Sequence, residues 1–222
     1  MLAYCVTIVL FVGVYGRPAG SGPGGAATLA DRMAHYLARQ SIAHTMWRIE
    51  TLATVLVAIG GFSLAVRASH ERSSRNSAAS AWTAVGVGAV LLSLMYPIML
   101  GGYPAAADAG GARLFEALNS IATFQFELGN TVIFLGLTGV FLAERRPAGV
   151  LPPWLGSVGA LVGLLAGGLG LLALSGVEFV PAEAGAPLGL LAFFLAAWLG
   201  HALSRTPVHP QSSPWNEGKA GT

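Results

Sequence analysis

Apolar runs of bilayer-spanning length recur along this 222-residue chain, and they limit it to one kind of solvent. An α-helix needs roughly 20 apolar residues to cross about 30 Å of hydrocarbon. Residues 47–66, 82–103, a stretch ending at Ala143, 154–174 and 187–203 read as such helices, and residues 2–15 as a shorter one. With 54% hydrophobic residues, 10% charged residues and a mean hydropathy of +0.65, the composition belongs to a bilayer protein. Alternation of period two is absent, which argues against a barrel. The expected fold is therefore an all-α polytopic membrane helical bundle of about six transmembrane helices.

The run over 2–15 has no Lys or Arg before it, and residues 16–20 make a poor cleavage site, so a span is preferred over a signal peptide. Cys5 precedes the run instead of ending it, against a lipoprotein. A start placed slightly late would account for the shortness. Residues 16–28 are rich in Gly, Pro and Ser and read as a flexible outer loop. Residues 29–46 interleave Leu29, Met33, Tyr36 and Leu37 with Asp31, Arg32, His35 and Arg39, the pattern of an amphipathic helix lying at the interface or capping the bundle. A five-helix bundle then occupies 47–203, with Pro97 expected to kink one helix, and a polar, Pro-containing tail follows over 204–222.

Basic residues set the orientation. Arg67, Arg72 and Arg75 follow one span, Arg145 and Arg146 another, and Arg205 the last, so these ends and both termini are expected in the cytoplasm. Arg17, Arg32 and Arg39 on the outer side weaken the bias without reversing it. A cell membrane is the expected location, with the lipid bilayer as the first partner.

Two charges break the apolar pattern. Sliding residues 41–44 onto 120–123 without a gap places Arg48 on Glu127, Leu56 on Leu135, Gly60 on Gly139 and Phe62 on Phe141, a faint register that a tandem helical-hairpin repeat would produce. Counted from the basic anchors, each charge lies roughly 28 Å from the cytoplasmic boundary at 1.5 Å per residue. Equal depth and opposite sign suggest an Arg48 to Glu127 bridge fixing helix register. The rival reading joins Arg48, Glu50, Glu127, Asn130, Asn119 and His44 into an outward-facing polar pocket for a small ligand or for protons.

Gly159, Gly163 and Gly167 form a small-residue stripe on the fifth span, and Ala192, Ala196 and Gly200 form one on the sixth. These two spans are expected to pack on each other, or the fifth to join a second copy or another membrane protein. No catalytic residue, metal or cofactor is expected: the chain has one Cys, its five His are scattered, and Gly-rich stretches such as 20–25 lack the Lys and the strand-to-helix context of a phosphate loop. Nothing suggests nucleic acid as a partner.

The six-span layout, the long fourth helix, and the run over 144–156 (Glu144, Arg145, Arg146, Pro147, then Leu151, Pro152, Pro153, Trp154, Leu155, Gly156) resemble a bacterial family known as domain of unknown function 4386. The resemblance covers about 41–203, does not extend to Arg48 and Glu50, and implies architecture and an inner-membrane location, not chemistry. The expected function is that of a non-catalytic accessory or interaction subunit packing through Gly-rich helices. The alternative is a small-molecule or proton-coupled carrier using the cluster around Arg48 and Glu127.

Overall fold

The computed structural model describes residues 28–70, 76–109, 111–145, 150–176 and 182–205, with positions 6, 9, 14 and 15. Most of the expected span over 2–15, the loop over 16–28 apart from Thr28, and the tail beyond Arg205 lie outside the described residues. Among the described residues six helices carry the fold: α1 (Leu29–Ala38), α2 (Gln40–His70), α3 (Asn76–Ser93) with its continuation to Asp108, α4 (Ala112–Glu144), α5 (Pro153–Leu174) and α6 (Ala182–Arg205). Among the described residues four stretches are long and apolar enough to cross a membrane: Gln40–His70, Ser77–Asp108, Ala112–Glu144 and Pro153–Leu174. The apolar part of α6, Pro187–Leu203, is shorter.

The amphipathic segment expected over 29–46 is two pieces. Helix α1 stops at Ala38, Arg39 leaves helical geometry at φ −129° and ψ 20°, and α2 starts afresh at Gln40. Helix α1 begins with a capping box. The Asp31 amide donates to Thr28 Oγ1 at 3.2 Å, while the Thr28 amide and hydroxyl donate to Asp31 Oδ2 at 3.0 and 2.6 Å. Those hydrogen bonds hold the Asp31 carboxyl below its ordinary range. A depressed carboxyl stabilises its helix above the ordinary carboxylate range and loses that contribution as pH falls. Amide-exchange protection factors over 32–38, taken relative to the intrinsic exchange rate at each pH, should therefore fall on acidification in the native chain and show no such acid dependence in Asp31→Asn; acid-insensitive protection in the native chain would contradict the cap.

The stretch Ser77–Asp108 is interrupted without being ended. After Leu94 come a short turn of helix at Met95–Pro97 and a π-helical turn at Ile98–Gly102 before Tyr103–Asp108 resumes. Pro97 lacks a donor, and the wider turn just past it absorbs the resulting mismatch in the ladder. This long middle element packs along both α2 and α4, whereas α2 and α4 share no extended face.

Glycine permits these approaches. A Cβ on Gly61 would sit 2.8 Å from the Gly86 amide nitrogen, and one on Gly88 would sit 2.7 Å from that of Ile133. Without side chains at those positions, backbones touch and dispersion contacts replace the hydrophobic drive that lipid cannot supply. The stripe on α5 works likewise, but against a different neighbour from the expected one. Gly159 rests on the Phe141 ring, Gly163 on Thr138 and the Phe134 carbonyl, and Gly167 on Leu135, all from α4. The stripe is thus filled from within the chain by α4. The facing ends of α4 and α5 are also tied together: the Val150 amide donates to Glu144 Oε2 at 3.2 Å, and Arg145 Nη1 lies 3.4 Å from Ser157 Oγ. On α6, Ala192 and Ala196 are buried, while Gly200 faces open space. Helix α6 meets α5 and sets Phe193 5.1 Å from Phe134 of α4. At the basic end, Arg67 Nη1 donates to the Leu203 carbonyl, which closes α2 onto α6.

Candidate functional site

Helix periodicity separates the two charged neighbours of α2. Residues two apart point about 200° from each other at 3.6 residues per turn, so Arg48 and Glu50 cannot share a face. Arg48 is exposed, whereas Glu50 is 6% exposed and lies on the buried stripe that includes Trp47 and Thr54. Arg48 and Glu127 form no ion pair among the described residues. The middle element packs between their helices, and Glu127, half-buried on α4, is left to itself. The bridge expected from sequence is thereby replaced by a buried Glu50.

Below Glu50, the Thr54 hydroxyl lies 3.1 Å from that of Tyr96, a buried hydrogen bond between α2 and the middle element. The Glu50 carboxyl is within electrostatic reach of the Tyr96 hydroxyl. Among the described residues it has neither a cation nor a hydrogen-bond partner, and taking such a group out of water costs a few kcal/mol. Deeper still, Thr54, Val57, Ala89, Leu92, Ile133 and Phe193 line a gap too narrow for a water molecule.

Above Glu50, four rings close the end of the bundle. Tyr36 of α1 stacks on Trp47 at 6.0 Å, meets Tyr103 edge-on at 5.7 Å, and sits 5.6 Å from Phe115. Trp47 and Tyr103 also meet edge-on at 5.7 Å. Such pairs add about 1 kcal/mol each to the area they bury. Burial pushes the Tyr36 phenol up to about 12, so it stays protonated and can donate to His44 Nε2, 2.9 Å away. The Tyr103 hydroxyl donates to Asn119 Oδ1 at 3.1 Å.

The expected cluster is therefore divided. His44 and Asn119 belong to the aromatic cap, Glu50 to the polar step beneath it, and Arg48 to the outside. Asn130 is buried on α4, where its amide donates to the Phe126 carbonyl at 3.0 Å and its Oδ1 has no partner. Nearby, the buried Thr131 hydroxyl also lacks a partner. Sequence reasoning passed over Tyr36, Trp47, Thr54, Tyr96 and Tyr103. The signal for two of them was present: Trp47 and Thr54 recur with Glu50 at steps of three and four, the spacing of one helix face. Among the described residues, no group of His, Cys, Asp or Glu could hold a metal ion. No protein-family model, curated protein or solved structure matches the chain.

Proposed function

We propose that this chain is a six-span integral protein of a bacterial inner membrane, with both termini in the cytoplasm, acting as a non-catalytic accessory or interaction subunit. The observation that carries this reading is the internal use of its polar and small residues. Tyr36 with His44, Tyr103 with Asn119 and Thr54 with Tyr96 are spent within the bundle, and the gap beneath them is too narrow for a water molecule. What faces outward on the spanning-length helices is apolar, as at Leu52, Leu56 and Ile59 of α2 and Leu161, Leu164 and Leu165 of α5. Lipid covers most of such a surface, and a partner or second copy would join through it, since the Gly stripe of α5 is already filled. The six-span count adds α6 and residues 2–15 to the four longest stretches. The resemblance to domain of unknown function 4386 supports the same architecture.

Mild extraction of the tagged full-length protein from native membranes should yield it together with a second membrane protein or a second copy. A lone monomer under those conditions would contradict the subunit reading. A second reading, the proton-coupled carrier, draws on Glu50, a buried carboxyl with no counter-ion among the described residues. Proteoliposomes containing a pH-sensitive dye would then acidify under an imposed potential, and Glu50→Gln would abolish the response; a response equal to that of protein-free liposomes removes this reading.

A further inference from the structure

We infer that Glu50 and the rings above it form a closed site for an organic monocation, with Tyr36 as its plug. The inference goes beyond an accessory role and requires no transport. Trp47, Tyr103 and Phe115 present their rings around one position at the end of the bundle, and Tyr36 fills that position at 2% exposure. Aromatic faces attract a cation of low hydration and accept its alkyl groups. Glu50 lies one helical turn below Trp47 on the same buried face, 6% exposed and without a partner among the described residues, so it supplies the countercharge.

The groups around that carboxyl suit a cation. Within electrostatic reach is the neutral Tyr96 hydroxyl of the middle element, and on α2 itself Thr54 lies one turn beneath and shares a hydrogen bond with that hydroxyl. Arg48 is on the opposite face and exposed. An alkylammonium would satisfy the carboxyl and keep three aromatic walls, whereas a strongly hydrated inorganic ion would gain little from the rings.

The plug can be withdrawn as a unit. Tyr36 is the one fully buried residue of α1, the helix is joined to α2 through the non-helical Arg39, and the Tyr36 hydroxyl is latched to His44. A site whose competent state is rarely populated binds more weakly by that fraction, so removing the plug should tighten binding. Tetraethylammonium binding to the full-length protein in lipid nanodiscs tests this directly. Tyr36→Ala should bind at least about ten-fold more tightly than the native chain, and adding Glu50→Gln should cancel the gain. If Tyr36→Ala does not fold, Tyr36→Phe carries the test: it keeps the ring, drops the latch, and should still bind more tightly. The inference is overturned if the folded plug variant gains no affinity, if Glu50→Gln leaves binding unchanged, or if potassium competes equally well.

Discussion

Gly129→Val is expected to destroy the folded bundle. A Cβ at Gly129 would sit 2.6 Å from Leu92 Cβ and 2.7 Å from the Leu92 amide nitrogen, and valine adds two methyl groups beyond it. The obstruction includes backbone on a neighbouring helix, which no rotamer change relieves, so α3 and α4 must separate. Those two helices share the most extensive face among the described residues. The cost should be about 3 kcal/mol or more, at the upper end for overpacking a tight core. Thermal unfolding in detergent, followed by size exclusion, measures it. Gly60→Ala is the comparison, because a Cβ there meets nothing within 4 Å. Alanine at that site should be neutral or gain about 1 kcal/mol from helix propensity. Equal stability of the two variants would mean that α3 and α4 do not approach as described.

The second large effect runs in the opposite direction. Glu50→Leu should stabilise the protein by about 2 kcal/mol, because it replaces a buried carboxyl without a partner by an apolar side chain of similar size. Removing one member of a paired, hydrogen-bonded network does the reverse, so the sign of the change is the informative quantity. A loss of stability would show that Glu50 has a partner, whereas a gain coupled to loss of cation binding marks a residue kept at a cost to stability.

The properties legible in the sequence were those carried by single helices. Spanning length, the amphipathic character of α1 and the interruption at Pro97 are local, and hydropathy and residue type report them directly. The register that slides Arg48 onto Glu127 also brings Thr54 level with Ile133, and these two line the same narrow gap. Depth was therefore readable. Adjacency was not, because the order of helices around a bundle depends on contacts distant in sequence. The middle element packs against both α2 and α4 and keeps Arg48 from Glu127. The glycines of α5 announced a close approach for the same physical reason, but a stripe that fits any helix does not name its neighbour, and α4 took the place expected for α6. Glu50 was grouped with Arg48 on proximity in sequence, whereas helical geometry assigns them opposite faces. The buried stripe that Glu50 shares with Trp47 and Thr54 was the better guide.

Thiol accessibility tests the central claim, that Glu50 is enclosed beneath a cap closed by Tyr36 while Arg48 stands outside. With Cys5 replaced by serine, Arg48→Cys and Glu50→Cys are each exposed in intact membranes to a membrane-impermeant thiol reagent. Arg48→Cys should react rapidly whether or not Tyr36 is present. Glu50→Cys should react slowly in the presence of Tyr36 and rapidly once Tyr36→Ala is added. Rapid reaction of Glu50→Cys with Tyr36 in place, matching that of Arg48→Cys, would contradict the enclosed site.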